Sequence, residues 1–167
     1  MMLNTKEEAM QLLAQTIESA DMVLVGIGKE WSGAESDVYQ ALSEVIDGKN
    51  YFVLTTIGDV EEAMPVIRED RILSPEEDGY APEKWERYTK WLTGTMNRNL
   101  VLLELGVLFD HPEIIRWPFE RIAYLSKKSK LFRINNSFPQ LTEQLQETAV
   151  SVKINSKEFI KEMSGQA

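Results

Sequence analysis

The stretch Leu100–Leu105, with the sequence LVLLEL, decides the fold class. An apolar run of this length without polar alternation is typical of a strand that is covered on both faces. Met22–Val25 and Tyr51–Thr56 are further runs of this kind, and stretches with helical periodicity lie between them. Strands that alternate with helices form a mostly parallel sheet with helices on both faces. We therefore predict a single doubly wound, Rossmann-like α/β domain over residues 1–167, with about six strands.

Other local signals extend this pattern in both directions. Thr5 and Glu8 form a capping box that predicts a first helix, and Pro82 suits the first turn of a later one. The remaining strands are predicted at three further apolar runs, which are Arg121–Leu125, Lys130–Ile134 and Val150–Ile154. The segment from Asp59 to Tyr80 is acidic and contains a loop rich in proline and glycine.

The composition excludes several kinds of chemistry. The 167 residues include no cysteine and one histidine, so disulfides, cysteine-zinc sites, thiol nucleophiles and multi-histidine metal sites are not expected. We predict no bound metal. No segment approaches the ~20 apolar residues of a spanning helix, and the start MMLNTKEEAMQLL is unlike a secretory signal. The expected location is cytoplasmic, without a membrane partner.

The charge is divided unevenly between the two halves of the chain. Residues 1–84 carry 6 basic and 18 acidic side chains, a net charge of -12, whereas residues 85–167 carry 12 and 9, a net charge of +3. The nearest approach to a basic face is the group Lys127, Lys128, Lys130 and Arg133, which a solvated strand edge explains more simply. We therefore expect no nucleic-acid partner. A protein partner or a homo-oligomer remains open.

Ligands of open parallel sheets bind beyond the carboxyl ends of the strands, so the residues there are the candidate site. Gly26, Gly28 and then Ser32-Gly33 follow the first long strand, where glycines allow close backbone approach and a helix N-terminus suits phosphate. The glycine spacing departs from the dinucleotide fingerprint, because Gly33 follows Gly28 by five positions instead of three. A tight strand-to-helix connection is the alternative, in which Ser32 forms a capping box with Glu35.

Polar side chains also follow the later strands. Thr55, Thr56 and Asp59 could hold a ribose, although Asp59 could equally cap a helix. Gly106 follows LVLLEL, and the amide and guanidinium of Asn135 and Arg133 could bind a ribose or adenine.

Two ionisable groups near the third long strand have both structural and catalytic interpretations. Glu104 lies inside the strand, where an unpaired carboxylate would cost several kcal/mol, so it requires a partner. Arg116 and Arg121 are the candidate partners, and a structural ion pair is preferred to a catalytic carboxylate. His111 is likewise more simply structural than catalytic.

Taken together, these strand ends resemble the Sir2, or sirtuin, family. Gly26-Ile27-Gly28 with Ser32-Gly33 is similar to the family's glycine-alanine-glycine loop and nearby serine. Thr55-Thr56-Ile57-Gly58-Asp59 is similar to Thr-x-Asn-x-Asp, and Ile134-Asn135 to the Ile-Asn pair near the adenine ribose. The most specific match is residues 104–120, ELGVLFDHPEIIRWPFE, which resembles ELGVGFNTPxIIRxPFE of the bacterial branch linked to macrodomains and protein ADP-ribosylation.

The resemblance implies NAD or ADP-ribose as ligand. Its implied binding residues are Gly26, Gly28, Ser32, Gly33, Thr55, Thr56, Asp59, Gly106, Arg133 and Asn135. The family's zinc cysteines and catalytic histidine have no counterpart, Ile57 replaces its asparagine, and Leu108 replaces a glycine. Ordinary deacetylation is therefore not expected, and Asp59 and His111 are weak catalytic candidates. The alternatives are an NAD-consuming enzyme, by ADP-ribosyl transfer or NAD hydrolysis, and a non-enzymatic interaction protein with a degenerate pocket.

Overall fold

The strands and helices follow the alternation of the sequence. The structure is a computed structural model that describes residues 1–58, 61–63, 66–74 and 81–165. The strands in these ranges are β1 (Met2–Leu3), β2 (Met22–Ile27), β3 (Asn50–Thr55), β4 (Ile72–Leu73), β5 (Leu100–Leu105), β6 (Ser129–Ile134) and β7 (Ala149–Val152). The α-helices are α1 (Lys6–Ser19), α2 (Ser36–Val45), α3 (Pro82–Thr93), α4 (Arg116–Leu125) and α5 (Ser156–Met163).

All the strands belong to one parallel sheet with the order β1-β7-β6-β5-β2-β3-β4. The LVLLEL run forms β5 at the centre, and Leu100 and Leu105 pair with Met22 and Ile27 of β2. The chain proceeds from β2 to one edge of the sheet and from β5 to the other. The doubly wound α/β prediction is confirmed, with seven strands among the described residues, and the β2–β5 boundary is the topological switch point.

Helices cover both faces of the sheet. Helices α1, α2 and α5 pack in one hydrophobic core, and α3 and α4 pack in the other. Because successive side chains of a strand point to opposite faces, Leu103 contributes to the first core and Leu102 to the second. Every residue of β5 is buried, as the unbroken apolar run predicted.

The helix signals were more reliable in some places than in others. Thr5 caps α1 by accepting a hydrogen bond from Glu8 N at 3.3 Å, and Pro82 is the first residue of α3. The strand predicted at Arg121–Leu125 is wrong, because these residues form the second half of α4.

Within the described ranges, no helix combines the length and the hydrophobicity needed to cross a membrane.

The helical periodicity of α4 begins upstream of the five residues that the sequence predicts to be a strand. Ile115, Phe119 and Ala123 are buried at intervals of four residues, which is the spacing of one helical face. A window of five residues is too short to distinguish this spacing from a buried strand.

The central position of β5 leads to a stability test at Leu103. This side chain is 0% exposed, so Leu103→Ala should lower the free energy of unfolding by about 2–5 kcal/mol through lost burial and a residual cavity. The matched control is Leu125→Ala, because Leu125 is 69% exposed and its truncation should change stability by less than about 0.5 kcal/mol. Urea unfolding measures both values. Equal losses in the two variants would contradict the packing described here.

Candidate functional site

The glycine loops at the switch point pack against each other. Gly28 N donates to Leu105 O at 3.0 Å, and Glu30 N donates to Gly106 O at 3.2 Å. A Cβ on Gly28 would lie 2.3 Å from Val107 Cα and 2.5 Å from Gly106 O. The close backbone approach that Gly28 allows is therefore made to the protein's own chain.

Packing also explains the glycines at positions 26 and 106. A Cβ on Gly26 would lie 2.5 Å from Ile115 Cγ2 and 3.0 Å from the Phe119 ring, so this position makes room for the buried side chains at the start of α4. Gly106 has φ +62°, and a Cβ there would lie 2.3 Å from Glu30 Cβ. Glycine is required at Gly106 both by the left-handed backbone and by the neighbouring side chain.

Glu30 bridges three elements above the carboxyl ends of the strands. Its Oε1 accepts hydrogen bonds from Ser156 N at 2.5 Å and Ser156 Oγ at 2.6 Å, at the start of α5. Its Oε2 accepts from Asn136 N at 3.2 Å, in the loop after β6. Free N–H groups at a helix N-terminus are the groups that commonly bind phosphate oxygens. In this protein the Glu30 carboxylate binds the N–H of Ser156, and the Asn155 side chain caps the next two N–H groups of α5.

Trp31 lies beneath this bridge and is fully buried. Its Nε1 donates to Ser156 Oγ at 2.8 Å, so this hydroxyl accepts from Trp31 while it donates to Glu30. The Trp31 ring packs edge-on against Tyr39 of α2, with 5.4 Å between the centroids. Ile57 is also buried in this core, whereas Leu108 is half-buried.

Ser32 and Gly33 are exposed in the connection between β2 and α2. The capping box expected between Ser32 and Glu35 does not form, because α2 begins at Ser36 and its N-cap residue, Glu35, makes no side-chain capping bond. Gly33 has φ +77° and faces open space. A groove of about 440 Å³ beside it is lined by Gly33, Ala34, Glu35, Ser36 and Glu62. Two carboxylates at this groove oppose the binding of phosphate.

The two threonines after β3 differ in their hydrogen bonds. Thr55 Oγ1 accepts from Ile57 N at 3.1 Å, which is a local turn contact. Thr56 N donates to Ile27 O at 3.0 Å, but its Oγ1 has no hydrogen-bond partner among the described residues. Asp59, the expected ribose ligand and weak catalytic candidate, lies outside the described residues.

Glu104 is paired with Arg133, and both side chains are fully buried. The β5–β6 register places them opposite each other, with Arg133 Nε 2.6 Å from Glu104 Oε2 and Nη2 3.1 Å from Oε1. Arg133 also lies 3.3 Å from Glu120 Oε1 and donates to Gln140 O at 2.7 Å. Burial lowers the pKa of Arg133, but the two carboxylates outweigh it and hold this pKa above its ordinary value.

The expected partners of Glu104 were therefore wrong, although the structural ion pair is present. Arg121 is exposed. Arg116 Nε lies 4.0 Å from Oε1 of Glu120, the second carboxylate that contacts Arg133. Arg116 fastens the loop after β6 by donating to Phe138 O at 3.1 Å and Gln140 O at 3.3 Å. Its pKa is lowered, first by burial and then by the nearby Arg133 charge.

Asn135 is buried and its amide binds only protein atoms. Nδ2 donates to Val107 O at 2.8 Å, and Oδ1 accepts from Ser137 N at 2.9 Å and Phe138 N at 2.8 Å. The amide and the Arg133 guanidinium, both expected to bind a nucleotide, are thus used in positioning this loop.

His111 lies in the segment between β5 and α4. Its Nδ1 is 3.5 Å from Glu113 Oε1, and its side chain is about one-third exposed. Among the described residues, no group of three histidine or acidic side chains has an arrangement that could hold a metal ion.

The Glu104–Arg133 pair leads to a test of buried charge. Glu104→Gln should lower the free energy of unfolding by about 3–5 kcal/mol, because it leaves Arg133 buried without its main counter-ion. The double variant Glu104→Leu/Arg133→Met should lose at least about 1 kcal/mol less than the sum of its two single variants. Urea unfolding gives these values, with Glu113→Gln as an exposed control. Additive losses would show that the pair is not coupled.

Three residues of this region were not singled out by sequence reasoning for the roles they have. Glu30 and Ser156 are not among the residues that the sequence predicts for the site, and Arg116 is predicted only as a partner of Glu104. No protein-family model matches the chain, and no curated protein matches it. The resemblance to sirtuins therefore rests on the quoted motifs alone.

Proposed function

We propose that this chain is a divergent sirtuin-like domain that acts as a non-enzymatic interaction protein and does not carry out NAD-dependent deacetylation. The observation that carries the proposal is the Glu30 bridge. Its carboxylate accepts hydrogen bonds from Ser156 N and Asn136 N. A dinucleotide phosphate bound at this place would need the same two donors. A ligand at this place must first displace an internal anion.

The electrostatics around the crevice support the same proposal. Glu30, Glu35 and Glu62 all lie on loops beyond the carboxyl ends of β2 and β3. A pyrophosphate brought to these loops would meet carboxylates, and like charges at short distance repel. Arg133, one of the residues expected to bind the nucleotide, is engaged instead by Glu104 and Glu120.

The chain also lacks residues that the chemistry of a sirtuin requires. Ile57 stands where the family pattern has asparagine, and its apolar side chain cannot orient a ribose or a water. His111 lies beside Glu113 in the segment between β5 and α4, and it is followed by Pro112 and not by the glycine of the His-Gly element that carries the family's catalytic histidine.

The second candidate function is the binding of NAD or ADP-ribose, with or without turnover. Thr56 favours it, because its hydroxyl is buried near the carboxyl end of β3 without a hydrogen-bond partner among the described residues, and a ligand would supply that partner. In this candidate Glu30 leaves Ser156 and frees its backbone N–H and its hydroxyl at the start of α5. Turnover would be ADP-ribosyl transfer or NAD hydrolysis, with Asp59 stabilising the positive charge that develops on the ribose.

The location that goes with both candidates is the cytoplasm. A chain without cysteine cannot form the disulfides that are common in proteins of oxidising compartments, which favours the cytoplasm. The partners in the two candidates are a protein and a small nucleotide, respectively, and a net charge of -9 disfavours nucleic acid.

A thermal-shift titration tests the Glu30 bridge. In the wild-type chain, millimolar NAD or ADP-ribose should leave the melting temperature unchanged, whereas a ligand at 100 times its Kd would stabilise by about 2.7 kcal/mol. Glu30→Ala should lower stability by about 1–3 kcal/mol, because buried donors lose their acceptor, and should then gain melting temperature with ADP-ribose. Glu147→Ala is the matched control, since Glu147 is an exposed carboxylate just before β7 and outside the crevice. A wild-type rise of about 2–4 °C would favour the second candidate.

A turnover assay separates binding from catalysis. Wild-type protein incubated with millimolar NAD should release nicotinamide no faster than buffer, because the residues for the reaction are missing. His111→Ala and Asp59→Asn should give the same trace by liquid chromatography. Release above the buffer rate that Asp59→Asn abolishes would contradict the proposed non-enzymatic role.

A further inference from the structure

The carboxyl-terminal ends of α3 and α4 form a groove with an apolar floor. The groove has a volume of about 390 Å³, and Leu92, Met96, Ile122 and Leu125 contribute its aliphatic side chains. Helices of a parallel α/β fold end where the next strand begins, so this groove lies at the amino edge of the sheet. The glycine loops and Glu30 lie at the opposite, carboxyl edge.

The surface around the groove exposes large apolar side chains. Met96 is 71% and Leu125 69% exposed, and on the same helix as Leu125 the side chains of Trp117 and Tyr124 are 58% and 61% exposed. Trp117, Arg121 and Tyr124 or Leu125 follow one another at intervals of three or four residues, so they share one face of α4. We name Met96, Trp117, Arg121, Tyr124 and Leu125 the α4 face. Exposed apolar side chains gathered in one patch mark interaction sites.

The rim of the α4 face is basic. Arg121 lines the groove, and none of the residues that line it is acidic. Lys128 lies beside it, because its Nζ donates to Asn97 O, and Arg98 and Lys127 adjoin lining residues in the chain. Among the described residues, none of these four cations forms an ion pair. The rim is a local excess of positive charge on a chain whose net charge is -9.

We propose that the α4 face is a docking site for an acidic, amphipathic segment of a partner protein. An aliphatic or aromatic side chain of the partner enters the groove between Met96 and Leu125, and flanking carboxylates meet Arg121 and the neighbouring lysines. Charge complementarity selects this occupant, because an apolar floor with an unpaired basic rim suits an apolar anchor flanked by acids. The inference rests on the proposed interaction role and names the surface and the partner chemistry.

Two other occupants fit the same surface less well. A second copy docked symmetrically through the same surface would bring the two basic rims together, and no acidic residue in the groove lining compensates. Nucleic acid would satisfy the cations but would leave Leu92, Ile122 and Leu125 without apolar contacts.

The test is selection of a phage-displayed library of random 16-residue peptides on the full wild-type chain, with counter-selection on Leu125→Lys. We expect enriched peptides to have a net negative charge and apolar residues at helical spacing. One such peptide is synthesised and its Kd measured by fluorescence anisotropy. Leu125→Lys and Arg121→Glu should each weaken it roughly tenfold or more, about 1.4 kcal/mol or more. Lys153→Glu, an exposed charge reversal after β7 at the other edge of the sheet, should leave the Kd unchanged.

Several results would overturn the proposal. These are the absence of enrichment, enrichment of basic or uncharged peptides, and binding that ignores Arg121→Glu. Light scattering that shows a wild-type dimer and a Leu125→Lys monomer would assign the surface to a second copy instead. Oligonucleotide binding lost in Arg121→Glu would assign it to nucleic acid. Melting curves check that each variant is folded, which exposed positions favour.

The outcomes also separate this inference from the proposed function. Nicotinamide release by the wild-type chain would contradict the proposed non-enzymatic role. It would not contradict the proposed peptide binding at the α4 face. Failure of the peptide selection would leave the results at Glu30 unchanged, because the two sites lie at opposite edges of the sheet.

Discussion

The buried ion pair between Glu104 and Arg133 constrains much of the carboxyl edge of the sheet. Neither charge can leave water without the other, because an isolated buried ion costs several kcal/mol, so β5 and β6 must pair in the register that brings them together. Arg133 then donates to Gln140 O, and Glu120 connects it to Arg116. The loop after β6 is thereby held against the sheet.

This loop in turn determines what occupies the switch point. Asn135 fastens the start of the loop to Val107 O, which places the next residue, Asn136, with its N–H toward Glu30. The Glu30 carboxylate is then satisfied by Asn136 and by Ser156 at the start of α5. The Glu104–Arg133 pair between β5 and β6 and the Glu30 carboxylate beyond the strand ends thus belong to one connected set of contacts.

The sequence predicted most of the fold because its signals are local. The LVLLEL run, the Thr5 cap and Pro82 each act over a few residues and were found where expected. The failure at Arg121–Leu125 came from a window too short to show helical spacing. The pairing of Glu104 was missed for a different reason, since Arg133 becomes its neighbour only through a register between strands 29 residues apart.

The candidate site was predictable in position and much less so in content. A glycine after a strand permits close backbone approach, but the sequence does not say whether a ligand or the protein itself makes that approach. At Gly28 the partner is the backbone at Gly106 and Val107, and at Gly26 it is the buried side chains of Ile115 and Phe119 at the start of α4. The same glycine pattern is therefore compatible with a nucleotide cradle and with a self-packed turn. Hydrogen-bonding groups distinguish the two. At the carboxyl edge Glu30, Arg133 and Asn135 bind other groups of the protein, whereas the amino edge exposes apolar side chains beside cations that form no ion pair among the described residues. We therefore expect a macromolecule to bind at the ends of α3 and α4 and not at the crevice that the motif suggests.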